Sequence, residues 1–182
     1  MMIEKKRELR KEIARRKNEF SSMQLIEMSS SVIENLEKLE VFQKAKVVLV
    51  YYSMPDEVDT THLIEKYKNE KNIVLPIVTK QGLIVKEYLG EDKIIVSKYG
   101  IKEPMGDEYL NYDDIDLVVV PGVAFDKNLN RMGRGKGYYD GLLPKIKAPK
   151  VSICFDFQIV DNVPVDNRDM MMDLVVCETT VY

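Results

Sequence analysis

Short blocks of consecutive apolar residues alternate along this chain with longer segments whose apolar positions recur every three or four residues. The blocks are Val47–Tyr52, Ile73–Val78, Leu117–Val120, Val151–Phe155 and Leu174–Cys177. Each is short and apolar on both sides of a pleat, the pattern of a strand buried on both faces. Pro76 weakens the hydrogen bonding of the second block. In Ile3–Phe20 the rhythm is helical: Leu9, Ile13 and Phe20 lie close to one face with Ala14 beside them. Ser21 and Gln24 have the spacing of a capping box, opening a second helix with Leu25, Ile26, Ile33, Leu36 and Leu39 on its apolar side. Thr60–Glu70 reads as a third helix, capped by Asp59 or Thr60. Shorter, more polar strands are expected between Gly82 and Gly100, and another helix from about Gly137.

Apolar strands alternating with helices predict the α/β class: a mostly parallel sheet with helices on both faces. The chain shows no linker, repeat or low-complexity segment, so residues 1–182 are read as one domain. In such sheets ligands bind beyond the carboxyl ends of the strands. Two unusual segments, Tyr52–Glu57 and Pro121–Asp140, follow strands and are the first places to look for chemistry.

Composition narrows that chemistry. The net charge of −3 argues against wholesale nucleic-acid binding, although eight basic residues crowd Lys5–Lys17. No apolar run approaches the ~20 residues of a membrane span. Charge begins at Glu4, which leaves no apolar signal region, and a cytoplasmic location is expected. The single histidine, His62, excludes a multi-histidine zinc site and reads as a helix-surface residue. Cys154 and Cys177 lie in apolar runs without metal-like spacing and read as buried thiols. The run Met170-Met171-Met172 reads as core filler.

The informative stretch is Pro121-Gly-Val-Ala-Phe-Asp126 followed by Arg131-Met-Gly-Arg-Gly-Lys-Gly-Tyr-Tyr-Asp140. Gly133, Gly135 and Gly137 alternate with Arg134 and Lys136. Glycine lets backbone N–H groups approach an anion, arginine offers a planar fork, and lysine a mobile point charge. A helix starting near Gly137 would aim its positive end at the same place. A phosphate cradle and a solvated loop both fit this composition, and the preceding buried strand favours the cradle. Neither the P-loop spacing nor GxGxxG is present.

The run Pro121–Asp140 resembles the signature of the 5-formyltetrahydrofolate cyclo-ligase family. Lys6-Arg-Glu-Leu-Arg10, Glu57-Val-Asp-Thr60, Gly100-Ile-Lys-Glu-Pro104 and Asp169–Glu178 also match. The chain departs from the family at Arg168, where many relatives carry histidine, at Cys177, where threonine is common, and at Pro55. The resemblance implies ATP-dependent closure of 5-formyltetrahydrofolate to 5,10-methenyltetrahydrofolate, with release of ADP and phosphate. Such a reaction passes through a phosphorylated formyl group and needs no histidine or covalent nucleophile.

The same resemblance implies roles for individual residues. Lys6, Arg7, Glu8, Leu9 and Arg10 belong to the ATP site, with Lys6 and Arg10 on one helix face as phosphate contacts and Glu8 as a solvated partner. Arg131, Met132, Gly133, Arg134, Gly135, Lys136, Gly137, Tyr138 and Tyr139 line the nucleotide, and Tyr139 fits core packing equally well. Arg134 and Lys136 carry the catalytic charge role. The folate site draws on Tyr52, Met54 and Glu57 together with Arg134, Gly135, Lys136, Gly137 and Tyr138. From the residues alone, Glu57 fits a turn with a helix-capping acid as well. Asp140 and Asp169 are the implied magnesium ligands, although a turn or cap is the ordinary role for Asp169. The expected partners are ATP and 5-formyltetrahydrofolate, with no nucleic acid or membrane, and a monomer is the simplest assembly.

Overall fold

The computed structural model describes residues 1–96 and 102–182. Gly100 and Ile101 of the family-like stretch at 100–104 therefore lie outside the described residues. The chain opens with helices α1 (Met2–Lys17), α2 (Ser22–Glu37) and α3 (Glu40–Lys44), then strand β1 (Val47–Val50) and helix α4 (Thr61–Tyr67). Next come β2 (Asn72–Thr79), β3 (Gly82–Glu87), β4 (Ile94–Val96), β5 (Lys102–Pro104) and β6 (Leu117–Val120). After them lie β7 (Ala124–Asp126), β8 (Arg131–Met132), α5 (Tyr138–Leu142), β9 (Lys150–Ile153), β10 (Ile159–Val160) and β11 (Leu174–Val176).

All five apolar blocks enter one six-stranded sheet, in the order β11-β9-β6-β1-β2-β3. Its neighbours pair in parallel except β2 and β3, which form an antiparallel edge hairpin. The β1–β2 ladder ends at Leu49 and Val74, so Pro76 lies beyond it and interrupts none of that parallel pairing. Alternate residues of each strand serve opposite faces. Val48, Val50, Leu117 and Val119 pack with Val32 and Leu36 of α2, Phe42 of α3, and Leu63 and Ile64 of α4. Leu49, Val118 and Val120 pack with Leu142 of α5 and with Leu143 and Ile146 behind it. Helical structure thus covers both faces of a mostly parallel sheet.

Helix α1 lies on neither face. Its Ile13 packs with Ala124, Met132 and Val163 around the small β10-β7-β8 sheet. Pairs such as Arg16–Glu12 and Arg15–Glu19 lace its exposed side. The Ser21–Gln24 capping box forms as its spacing predicts. Some boundaries differ from the sequence pattern. Strand β1 stops before Tyr51 because the Tyr51 carbonyl accepts from Thr60 Oγ1 at 2.6 Å and its hydroxyl donates to the Val58 carbonyl at 3.0 Å, which closes the loop. Helix α4 ends at Tyr67, whose carbonyl takes the N–H groups of Glu70 and Lys71. Helix α5 has only five residues, too few for a dipole of consequence, so the expected helix-end contribution to the cradle is absent.

Leu36 is fully buried where α2 meets the sheet. We expect Leu36→Ala to destabilise the fold by about 2–5 kcal/mol through lost burial and an unfilled cavity. Equilibrium urea unfolding checks this, and a loss below ~1 kcal/mol would place α2 outside the cooperative core.

Candidate active site

The strand order reverses direction between β1 and β6. The chain leaves β1 for α4 on one face and leaves β6 for α5 on the other. A crevice opens at such a switch point beyond the strand ends. The two unusual segments, the loop after β1 and the glycine loop after the β7–β8 hairpin, meet at this crevice.

Asp126 builds the second segment. This fully buried aspartate accepts the Asn128 and Asn130 N–H groups on Oδ1, at 2.9 and 3.1 Å, and the Val163 N–H and Asn130 Nδ2 on Oδ2, at 2.9 and 3.0 Å. Four bonds hold the carboxylate as the hub of the hairpin turn, which includes Leu129 at φ +65°. Beyond the hairpin, Gly135 and Gly137 adopt φ of +93° and +67°, values that favour glycine. A Cβ on Gly135 would stand 3.2 Å from the Arg10 guanidinium. Arg10 itself donates through Nε to the Gly133 carbonyl at 2.9 Å, which docks α1 on the glycine loop.

Arg134 crosses the crevice. Its NH2 nitrogen donates to Asp56 Oδ1 at 2.7 Å and to Glu57 Oε1 at 3.0 Å, and its Nε reaches Glu57 Oε1 at 3.3 Å. Glu57 is locked from the other side, since its Oε2 accepts the Met54 N–H at 3.0 Å. Asp56 uses its second oxygen for Lys17 Nζ of α1, at 2.7 Å. Burial would raise the Asp56 carboxyl, yet hydrogen bonds from Arg134 and Lys17 hold it below the ordinary aspartate range. A cleft of about 220 Å³ opens beside these groups, walled by Arg10, Ile13, Lys17, Val123, Arg134 and Phe157 among others. Gln158 fixes its floor, donating to the Gly122 and Val123 carbonyls at 2.9 and 3.0 Å.

A second cluster adjoins the first. Asp140 Oδ1 accepts Arg131 NH2 at 2.7 Å and the Met170 N–H at 3.5 Å, which brings it beside Asp169. Asp169 Oδ2 accepts Lys6 Nζ at 2.5 Å and the Asp166 N–H at 2.7 Å. Asp166 is held down to about 2, first by the Arg168 N–H and side chain and then by Lys6. Among the described residues, Asp140 Oδ2 and Asp169 Oδ1 carry no hydrogen bond. Magnesium takes one or two carboxylates and completes its shell with phosphate and water, so the free oxygens of Asp140 and Asp169 fit it, while no three acidic, histidine or cysteine side chains among the described residues form a metal-holding group.

Not every expected residue faces the crevice. Lys6 and Arg10 do, but Arg7 and Glu8 are exposed on the outer side of α1 and Leu9 packs inward. Met132 is buried in the α1 cluster. Arg131 is 3% exposed, engaged by Asp140 and lying 5.8 Å from the Tyr139 ring, so its guanidinium braces Asp140. Tyr139 is part of the core, the second of its two readings. Lys136 is exposed and has no ion-pair partner among the described residues, and Tyr138 is half-buried. Met54 is exposed and Tyr52 half-buried, with Lys102 Nζ 5.4 Å from the Tyr52 ring. Met172 is buried but Met171 is exposed. His62 is exposed on α4, and both cysteines are buried and free. Sequence reasoning missed Asp56, Lys17, Asp126 and Gln158. Only Asp126 carried a signal, the Asp-x-Asn-x-Asn spacing of a side-chain-bonded turn.

No helix among the described residues is long and apolar enough to cross a membrane. The chain is similar to known proteins along nearly its whole length. It is 34% identical over 168 residues to a probable 5-formyltetrahydrofolate cyclo-ligase of Schizosaccharomyces pombe, covering 81% of this chain and 82% of the relative. It is 31% identical over 189 residues to the 5-formyltetrahydrofolate cyclo-ligase of Mus musculus, covering 95% and 93%. Its fold matches the solved 5,10-methenyltetrahydrofolate synthetase of Aquifex aeolicus with a TM-score of 0.86 and 37% identity, covering 97% of this chain and 91% of that one. The model of the 5-formyltetrahydrofolate cyclo-ligase family matches residues 2–178, a span that takes in α1, both crevice loops, Asp140 and Asp169, and the chain is a ligase belonging to that family.

Proposed function

We propose that this enzyme uses ATP to close 5-formyltetrahydrofolate to 5,10-methenyltetrahydrofolate through a phosphorylated formyl oxygen. The observation that carries this reading is the Arg134 bridge, which brings the glycine loop and the loop after β1 to one crevice. Phosphoryl transfer between two bound molecules needs that adjacency.

The formamide oxygen attacks the γ-phosphorus of ATP, and the bond to the bridging oxygen of ADP breaks. The formyl carbon, now an imino-phosphate, accepts the N10 electron pair. Its C–O bond then breaks, phosphate departs, and N10 loses its proton. In this reading the Gly133–Gly137 backbone cradles phosphate oxygens, and Arg134 and Lys136 take up charge on the moving phosphoryl group. Arg134 is 45% exposed and can swing toward phosphate, while Glu57, 12% exposed, then needs the pterin's donors to replace it. When Arg134 turns to phosphate, Glu57 Oε1 is free to accept from the donor edge of the pterin, and Met54 can lie on its flat face. Asp140 and Asp169 would hold magnesium, which supplies positive charge among the phosphate oxygens. Arg131 keeps Asp140 oriented, and Lys6 keeps Asp169 oriented.

Methenyltetrahydrofolate formation, followed by absorbance at neutral pH, is expected to require both ATP and magnesium. Equal product without ATP, or with a chelator present, would overturn the reading. The roles of the two basic elements separate kinetically. Arg134→Ala is expected to lower turnover ~10²-fold or more, with a smaller effect on ATP affinity. Lys6→Ala, at the edge of the site, is expected chiefly to raise the apparent Michaelis constant for ATP. Steady-state kinetics on both variants check this, and an Arg134→Ala enzyme impaired only in ATP affinity would make the loop an anchor.

A further inference from the structure

We propose that Asp56 is a positioning residue for the ligase reaction: it keeps Arg134 at the cleft when substrate engages Glu57. The proposal rests on the reading of Arg134 and Glu57 given above and adds a residue with no role in it.

The geometry carries the inference. Arg134 has two carboxylate partners on one loop, and they are not equivalent. Glu57 is held by its own loop through the Met54 N–H, and its side chain is 12% exposed. A folate bound there competes with Arg134 for the same oxygens. Asp56 is tied instead to α1, through Lys17 Nζ at 2.7 Å, and presents its other oxygen to Arg134 at the same distance. Lys17, Asp56 and Arg134 therefore form a chain from α1 across the β1 loop to the glycine loop, and all three wall the cleft.

This chain answers two physical needs. A long arginine side chain loses much rotamer freedom when it is held in one place, so an Arg134 freed by Glu57 would disperse without a second anchor. A carboxylate beside a phosphoryl site would otherwise repel the phosphate. With Lys17 on one oxygen and Arg134 on the other, Asp56 sits between two cations and the trio keeps a net positive charge. The loop that presents Asp56 is itself fixed, by Tyr51 to Val58, Thr60 to Tyr51 and Ser53 to Asp59. That rigidity makes the placement of Arg134 a property of the free enzyme.

The test is steady-state kinetics of Asp56→Asn in the full chain, alone and combined with Arg134→Ala, with rates normalised to the folded fraction measured by circular dichroism. Asp56→Ser is carried in parallel, so that one variant failing to fold still leaves the comparison. Asp56→Asn is expected to lower kcat on the order of 10- to 100-fold, with the Michaelis constant for ATP changing less than about 3-fold. In the Arg134→Ala background it is expected to add no further loss, since it acts through that side chain. Asp56→Glu is expected to recover part of the rate. An equal loss of kcat in both backgrounds would overturn the proposal, because Asp56 would then act without Arg134. So would an unchanged kcat with a raised Michaelis constant for ATP, which would make Asp56 an anchor for α1 only. If Arg134→Ala itself leaves turnover intact, the reading of Arg134 fails and the role of Asp56 falls with it.

Discussion

Arg134 reaches from the glycine loop to two carboxylates of the loop after β1, and the reach is possible only because β1 and β6 are neighbours. These strands pair in parallel, with Val48, Leu49 and Val50 opposite Leu117, Val118 and Val119. Their connections leave on opposite faces, which opens a gap beyond their carboxyl ends. Everything at the crevice is arranged around that gap. Helix α1 closes one side by packing on the small sheet, and Arg10 and Lys17 tie it to the two loops. A phosphate-rich molecule and a flat, donor-rich one can meet there with a single arginine between them.

Most of the charged groups at the crevice are paired with one another. Arg134 rests on Asp56 and Glu57, Arg131 on Asp140, and Lys6 on Asp166 and Asp169. Their burial separates their functions. The Arg131–Asp140 pair is largely sequestered and serves to orient, because removing one partner of a buried pair leaves an uncompensated charge. The Arg134 pairs are more open to solvent on the arginine side, which suits the partner exchange proposed for it. The same residue type is thus sequestered at position 131 and partly exposed at position 134.

The architecture was largely legible from the chain. The five apolar blocks located the parallel strands, and alternation of their residues between faces followed from the pleat. Fold class alone directed attention to the loops beyond Val50 and Val120, and the structure brings those loops together. Helical spacing put Lys6 and Arg10 on one face, and both are half-buried there, whereas Arg7 and Glu8, between them in sequence, are exposed for the same reason; the ATP-site role of that face came only from the family resemblance. The strands β7, β8 and β10 escaped notice because two or three residues carry no period. Met132 and Tyr139 lie inside a basic, glycine-rich run, and only tertiary packing reveals that they face inward. Asp56 and Lys17, thirty-nine positions apart, carry no local pattern that would join them. Their contact depends on how α1 lies against the end of the sheet.

In the proposed reaction the phosphoryl group passes directly to the formyl oxygen within one crevice. The most direct test follows that oxygen. 5-Formyltetrahydrofolate carrying oxygen-18 in the formyl group is turned over with ATP in unlabelled water, and the released inorganic phosphate is analysed by mass spectrometry. Transfer to the formyl oxygen predicts one oxygen-18 atom in each phosphate. Phosphate free of the label would mean that water takes the phosphoryl group, and would contradict the mechanism built on this site.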